Sequence, residues 1–492
     1  MSVLVIDAGT TGVTALIVGP GAEVEARGYR EFPQHFPQPG WVEHRPDQIW
    51  TATLEAAKDA LTAAPSTPTC VGITNQRETV VLWDRETLDS PRPAIVWQDR
   101  RTSGMCEQLR QDGHERMVRN TTGLRLDPYF SATKLSWIQN NQPQIWAGVT
   151  EGRTAIGTID SYLVARMSRG LQHITDASNA SRTLLFDIHC GAWSAELCSL
   201  FGVPMDALPA VVPSYGDLAR TDPTCFLSLD LPITGIAGDQ QAALFGQCAF
   251  EPGDAKCTYG TGSFVLVNTG EYAVDSHAGL LTTVAFGAPD GTLTYALEGS
   301  VFVTGAAIQW LRDGLGVIDA AHEVNDLAAS VADAGGVVFV PALTGLGAPD
   351  WDPSARGVVV GITRGTTAAH LARATLDAIS FQVRDVVDLM VAEAALSLPG
   401  LAVDGGASAS DLLCQLQADQ LGVPVLRPEV IETTGLGAAF LAGLGAGVWE
   451  SRAELVGSRR IERTFTPGRR DEAAHRLWRA AVERAKGWAL ET

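Results

Sequence analysis

The sequence predicts an α/β fold built twice, each half a mixed sheet with covering helices. Three observations carry this. At 492 residues the chain is too long for one core and calls for at least two domains. Two strand–turn–strand signals lie about half the chain apart. The first is Val3–Asp7, a turn Ala8-Gly9-Thr10-Thr11-Gly12, then Val13–Val18; the second is Cys257–Tyr259, Gly260-Thr261-Gly262, then Ser263–Val267. Behind each signal the same order recurs, strands first and βα units after, which reads as an internal duplication of fold.

Taken in order, residues 2–32 read as a three-stranded meander, Val3–Ile6, Val13–Val18 and Glu23–Phe32, with Pro20-Gly21 as a turn. Pro39-Gly40 marks a loop. Pro46 opens a helix to about Leu61, with Trp50, Leu54 and Ala57 on one face. Val71–Thr74 and Val80–Trp83 flank the polar run Asn75-Gln76-Arg77-Glu78. Pro93–Trp97 reads as a short strand, with a helix from Arg100, and a further helix begins near Tyr129. Thr183–Ile188, after Ser181-Arg182, reads as a strand. Pro232–Ala237 is an apolar strand ending in Gly238-Asp239-Gln240-Gln241, with a helix from Ala242 to about Gln247. Glu251–Asp254 is the best boundary, dividing the chain into residues 1–250 and 251–492. After the second hairpin come strands at Leu280–Phe286 and Leu293–Leu297 and a helix from Thr304 to Leu315. Residues 367–395 form a long helical pattern. Leu401–Val403 leads through Asp404-Gly405-Gly406 into a helix at 411–421, and Asp471–Trp488 closes the chain as an amphipathic helix.

Composition is that of a folded globular chain, 46% hydrophobic and 19% charged. The net charge of -20 argues against nucleic acid or an anionic membrane as partner, since both need a basic face. Only four of the 36 Lys plus Arg are lysines, at 58, 134, 256 and 486. The eight cysteines form no C-x-x-C pair, so they read as free thiols in a reducing compartment. Gly435–Trp449 is apolar but short and holds five glycines, which fits a packed helix better than a membrane span. No basic stretch precedes an apolar run at the start, and the expectation is a cytoplasmic protein.

The Gly-Thr turns place hydroxyls beside exposed backbone N–H groups, an arrangement that holds anions. One such turn in each half suggests a nucleotide phosphate gripped from both sides. The chain has no G-x-x-x-x-G-K-[ST], no G-x-G-x-x-G, no H-R-D loop, no H-E-x-x-H and no serine-hydrolase elbow. Read alone, the candidate residues keep two meanings each. Asp239 is a general base or a helix N-cap. Asp7 is a Mg²⁺ ligand through water or an Asx turn. Arg77–Glu78 is a binding pair or an exposed turn, and Trp97 a binding wall or a core residue.

The stretches Gly72-Ile-Thr-Asn-Gln-Arg77-Glu78-Thr, Gly235-Ile-Ala-Gly-Asp239-Gln240-Gln241, Ala296-Leu-Glu-Gly-Ser, Thr344-Gly-Leu-Gly-Ala-Pro-Asp-Trp-Asp and Gly40-Trp-Val-Glu-His resemble the FGGY carbohydrate kinases. So do Tyr129-Phe-Ser-Ala-Thr-Lys134-Leu-Ser-Trp137 and Gly357-Val-Val-Val-Gly361-Ile362, continuing to Asp377. The likeness runs nearly end to end. It implies two actin-like ATPase, or ribonuclease-H-like, domains flanking a catalytic cleft. It further implies ATP-dependent phosphorylation of glycerol to sn-glycerol 3-phosphate with Mg²⁺. By the same resemblance Asp239 is the base, and Arg77, Glu78, Tyr129 and Gln240 hold the polyol between the aromatic walls Trp97 and Phe264. Thr10, Thr11 and Gly12 form the first phosphate loop, Thr261 belongs to the second, and Asp7 serves the metal. Gly305, Gln309, Gly406 and Ser410 fall at nucleotide positions. The family also suggests a dimer or tetramer.

The nucleotide side departs from the pattern. Thr14 stands where glycerol-acting members usually carry Arg, so a neutral hydroxyl replaces a phosphate-directed cation. Ala8 replaces the usual Gln, and Ser410 stands where Asn is usual. Residues 216–231 lack the Gly-rich, Arg-containing segment and the His motif through which some relatives are controlled, and neither control is expected. A kinase for another small polyol or ketose, or a catalytically weak regulatory paralogue, are the competing expectations.

Overall fold

The computed structural model describes residues 1–489. Its first sheet contains β1 (Ser2–Ala8), β2 (Gly12–Val18), β3 (Val24–Glu31), β4 (Pro68–Asn75), β5 (Tyr215–Arg220) and β6 (Pro232–Gly238), in spatial order β5-β6-β4-β1-β2-β3. β1–β2–β3 is the expected antiparallel meander; β4 and β6 join parallel to it, and β5 closes the edge antiparallel. The second sheet contains β7 (Ala255–Tyr259), β8 (Ser263–Gly270), β9 (Leu281–Gly287), β10 (Leu293–Val301), β11 (Leu401–Asp404), β12 (Val425–Pro428) and β13 (Ile461–Phe465). Its order is β9-β10-β8-β7-β11-β12-β13. The pattern repeats: an antiparallel meander, two parallel strands, an antiparallel edge, with β9 added outside. The duplication predicted from element order is present as topology.

The named helices are α1 (Pro46–Ala63), α2 (Ser131–Asn141), α3 (Asp239–Gly246), α4 (Ala368–Ala394), α5 (Asp411–Leu421), α6 (Thr433–Ala446) and α7 (Glu472–Ala485). Helix α1 buries Ile49, Trp50 and Ala56 against Ile6, Ala15 and Ile17 of the first sheet. Helix α4 buries Leu376, Ile379 and Val383 against Val265 and Val403 of the second. The glycine-rich α6 is almost wholly buried, as its composition suggests. It lies across the other face of the first sheet, packed with Val3, Val5, Leu16 and the α3 residues Leu244 and Phe245. Glycine makes the approach possible. A Cβ on Gly437 would stand 1.7 Å from the Ala242 carbonyl oxygen of α3, and one on Gly72 of β4 2.4 Å from that of Ala438.

Some local expectations need correction. The helix expected from Arg100 begins at Ser103. The strand expected over 183–188 is only Phe186–Asp187, because Arg182 and its neighbours form a buried polar corner instead. The helix expected over 304–315 runs as α-helix through Gln309 and as one π turn over Trp310–Gly314. Helix α3 starts three residues earlier than expected, with extended Gly238 as its cap and Asp239 as its first residue. Among the described residues no helix is long and apolar enough to cross a membrane.

Candidate active site

Parallel strands end where ligands collect in open α/β sheets. The carboxyl ends of β1, β4 and β6 deliver Asp7, Asn75–Glu78 and Asp239 to one place. Arg77 is the hub. Its Nη1 and Nη2 donate to Glu298 Oε2 and Oε1 on β10 at 2.6 and 3.0 Å, a two-pronged pair. Nη2 also reaches Tyr129 Oη at 3.2 Å, Nη1 reaches Gln241 Oε1 at 3.2 Å, and Nε lies 3.2 Å from Asp239 Oδ1. A second buried guanidinium, Arg182, donates to Glu78 Oε1 at 2.7 Å and Glu298 Oε1 at 2.9 Å. Burial alone would raise the Glu298 carboxyl, but Arg182 and Arg77 hold it down to about 2. Glu78 takes a left-handed backbone, φ +61°. A non-glycine residue there costs about 1–3 kcal/mol and is held only by surrounding contacts, here the ion pairs with Arg182.

Asp239 is half-buried at the first turn of α3. Its Oδ1 accepts from the Gln240 backbone N–H at 2.7 Å. Burial raises its carboxyl above the ordinary aspartate value, against the pull of Arg77, that N–H and Lys256. Gln240 itself is buried, its Oε1 taking a 2.5 Å hydrogen bond from Lys256 Nζ. Trp97 and Tyr129 meet edge to face, ring centroids 5.5 Å apart, and Trp97 Nε1 donates to Thr10 Oγ1 at 3.0 Å. The Tyr129 loop is pinned from beneath by Lys134, whose Nζ donates to the carbonyls of Pro128, Tyr129 and Phe130 at 2.6, 2.6 and 3.0 Å. Phe264 lies opposite Thr258 in the β7–β8 register.

The first Gly-Thr turn touches this cluster through the Trp97–Thr10 bond, and the second joins β7 to β8. Thr10 is half-buried and Thr11 and Thr261 are exposed, with Gly12 beginning β2. Gly305 is bound to the second turn: its N–H donates to Gly260 O at 3.0 Å, and a Cβ there would stand 2.6 Å from that oxygen. Gln309 is exposed on the same short helix. At the end of β11 the left-handed residue is Gly405, at φ +81° and against Tyr259, a conformation glycine adopts freely; Gly406 faces open space. Ser410 is engaged elsewhere. Its hydroxyl caps α5 by accepting from Leu413 N at 3.0 Å, and it also bonds Asn325. Thr14 lies in register between Asp7 and Tyr29.

Asp7 makes no ion pair among the described residues. Burial, Asp239 and Glu432 push its carboxyl up to about 7. Carboxylate oxygens that repel one another at a cleft suit a hard cation such as Mg²⁺, which is commonly held by one or two carboxylates and substrate phosphates. The described residues contain no cluster of three or more protein ligands, so a full protein cage is not offered.

Of the residues named by resemblance, Arg77 lies against Glu78, Tyr129 and Asp239, and Gln240 follows Asp239 on α3. Sequence reading missed Glu298 and Arg182, which complete the ion network, although Glu298 stands in the Ala296-Leu-Glu298-Gly stretch.

The N-terminal domain of the FGGY family of carbohydrate kinases matches residues 2–246, and the family's C-terminal domain matches residues 255–446. The chain is 51% identical to a glycerol kinase of Dechloromonas aromatica, over 100% of this chain and 98% of that protein. It is 52% identical to a glycerol kinase of Ralstonia pickettii, over 98% of each. Among solved structures, Plasmodium falciparum glycerol kinase with ADP superposes with a TM-score of 0.92 at 34% identity, covering 98% of both chains.

Proposed function

The chain belongs to the FGGY family of carbohydrate kinases, and from that premise we propose that it transfers the γ-phosphoryl group of ATP to glycerol, giving sn-glycerol 3-phosphate and ADP. The observation that carries the reading is the Arg77–Glu298–Arg182–Glu78 network opening onto Asp239. It sets donors and acceptors, already locked by one another, where a small polyhydroxylated molecule needs them.

In this reading Arg77 donates to, and Glu78 accepts from, the hydroxyls of glycerol. Tyr129 and Gln240 add further bonds, and Trp97 and Phe264 cover the carbon chain and limit its length. Among the described residues Arg77 Nε and the Gln240 N–H both approach Asp239 at Oδ1, leaving Oδ2 to take the proton of the terminal hydroxyl of glycerol. The glycerol hydroxyl oxygen forms the new O–P bond as the bond from the γ-phosphorus to the bridging oxygen of ADP breaks; the proton passes from Asp239 to solvent. The turns at Thr10–Gly12 and Thr261 bind phosphate oxygens through backbone N–H and hydroxyl groups. Gly305, Gln309 and Gly406 line the nucleotide. Asp7, with Asp239 nearby, would hold Mg²⁺ through water, and the cation would neutralise charge on the phosphates.

Coupled ADP release with glycerol, dihydroxyacetone, erythritol, xylulose and propane-1,3-diol, side by side, tests the reading. Glycerol should give the highest kcat/KM. Propane-1,3-diol should fall far behind, because the missing hydroxyl leaves buried polar groups unpaired. A higher value for xylulose or erythritol reassigns the substrate, and comparable values for glycerol and propane-1,3-diol refute the polyol clamp.

A further inference from the structure

Lysine is rare in this chain, four among 36 basic residues, yet two of the four are fully buried beside the active site. Lys134 is explained by the three carbonyls it gathers. Lys256 is not. It stands on β7, makes no ion pair among the described residues, and hydrogen-bonds two neutral groups, Gln240 Oε1 at 2.5 Å and Thr258 Oγ1 at 2.9 Å. Burying an ammonium without an ion-pair partner is costly, and a neutral side chain of similar volume would fill the space without that cost.

We propose that Lys256 is a positioning residue that locks Gln240 toward the substrate and, with Asp404, ties helix α3 to the nucleotide-side turn after β11. This rests on the phosphoryl-transfer reading above. An ammonium only donates, so it fixes Gln240 with the carbonyl oxygen turned toward Lys256. The Gln240 amide N–H₂ is thereby turned away, available to a substrate hydroxyl oxygen. The compact point charge suits this; the planar fork of Arg would not fit the same two acceptors.

Asp404 is the β11 partner of Thr258 across the β7–β11 pair. Its Oδ2 accepts from Gln247 Nε2 at 3.0 Å, at the far end of α3, and from Thr433 Oγ1 at 2.7 Å, at the start of α6. Helix α3 is therefore held at its front through Gln240–Lys256 and at its rear through Gln247–Asp404. Asp404 directly precedes Gly405-Gly406. A nucleotide seated at that turn and a substrate seated at Gln240 bear on the same short helix, the one that carries Asp239. Burial lowers the Lys256 ammonium, Asp404 draws it back up, and Lys256 in turn draws the Asp239 carboxyl down.

The test uses the full chain with ATP and Mg²⁺. In Lys256→Met the KM for glycerol should rise about tenfold, the loss of one positioned hydrogen bond. The acid limb of the kcat–pH profile should move to higher pH, because the base loses a stabilising positive charge. A lysine that merely filled space would lower the melting temperature and leave that limb in place. A folded Lys256→Met with wild-type glycerol KM and an unmoved acid limb overturns the proposal. Should this variant fail to fold, Lys256→Arg decides: the limb stays because the charge stays, while glycerol KM rises, and a wild-type KM overturns the positioning role. Glycerol calorimetry on the same variants separates the two claims. A wild type that binds glycerol but does not phosphorylate it refutes the activity; unchanged glycerol affinity in Lys256→Met refutes the role of Lys256.

Discussion

Asp7 is under the clearest electrostatic tension in the cleft, its carboxyl pushed up to about 7 by burial and by the nearby charges of Asp239 and Glu432. A bound cation relieves that tension, and protons compete for the same oxygens. The Mg²⁺ concentration for half-maximal rate should therefore climb as pH falls below 7, and titrations between pH 6 and 8 measure it; a flat response removes Asp7 from the metal site. The sign for stability follows from the folded value lying above the unfolded one. Stability from protonated Asp7 is present below about 4 and is lost as pH rises toward 7. Asp7→Asn should thus stabilise the ligand-free protein at pH 8 by ~1–3 kcal/mol, after allowance for partial exposure, while impairing turnover. Thr14 poses a different question. Tyr29, its partner on β3, fills the space over Gly12, and Arg27 stacks 5.4 Å from the Tyr29 ring while pairing with Glu432 at 2.9 Å. If no cation compensates for the neutral Thr14, Thr14→Arg should raise kcat or lower the ATP KM. An unchanged or poorer folded variant would identify compensation, with Arg27 as the first residue to replace. Arg77, Glu78 and Asp239 could be placed at strand ends from their polar or small-residue runs, but their roles came only from the family resemblance. Glu298 was not legible, because it lies inside a strand and its partner Arg77 is 221 positions away.

At the scale of elements, helix α6 shows what periodicity can and cannot carry. Its unbroken apolar composition told that it is buried, but nothing in its residues told that it lies on the first sheet rather than the second. That choice is written in close backbone approaches on both sides of the contact, Gly72 and Gly235 on the strands and Gly445 on the helix, while Gly437 makes the same approach to α3. Gly437→Val should therefore destabilise by ~3 kcal/mol or more through overpacking against α3, read as a lowered denaturation midpoint. A wild-type midpoint would show that α3 and α6 can part without loss. The meander strands were well read because each hairpin carries its own turn signal. The strand expected at 183–188 failed because Arg182 turns inward to Glu78 and Glu298, and that long-range ion network overrides local strand preference.

Each repeated half carries one Gly-Thr turn between its first two strands, and β1, β4 and β6 end at the buried charge network. The two halves share a sheet plan, but the contacts that fix the chemistry cross between them: Arg77 to Glu298, Gln240 to Lys256, Gln247 to Asp404. This is why duplication of fold was visible in the order of elements while these pairings across the halves were not. The net charge of -20 adds nothing to phosphate affinity, so anion binding must come from local N–H groups, hydroxyls and a cation. The most direct test is ³¹P NMR of the wild type and Asp239→Asn incubated with ATP, Mg²⁺ and glycerol. The wild type should form one phosphomonoester per ADP, identified as sn-glycerol 3-phosphate. Asp239→Asn should bind glycerol yet form that ester some 10²–10⁴ times more slowly, the loss expected on removing a general base. ADP appearing with free phosphate and no ester, or an Asp239→Asn variant as fast as wild type, would contradict the account.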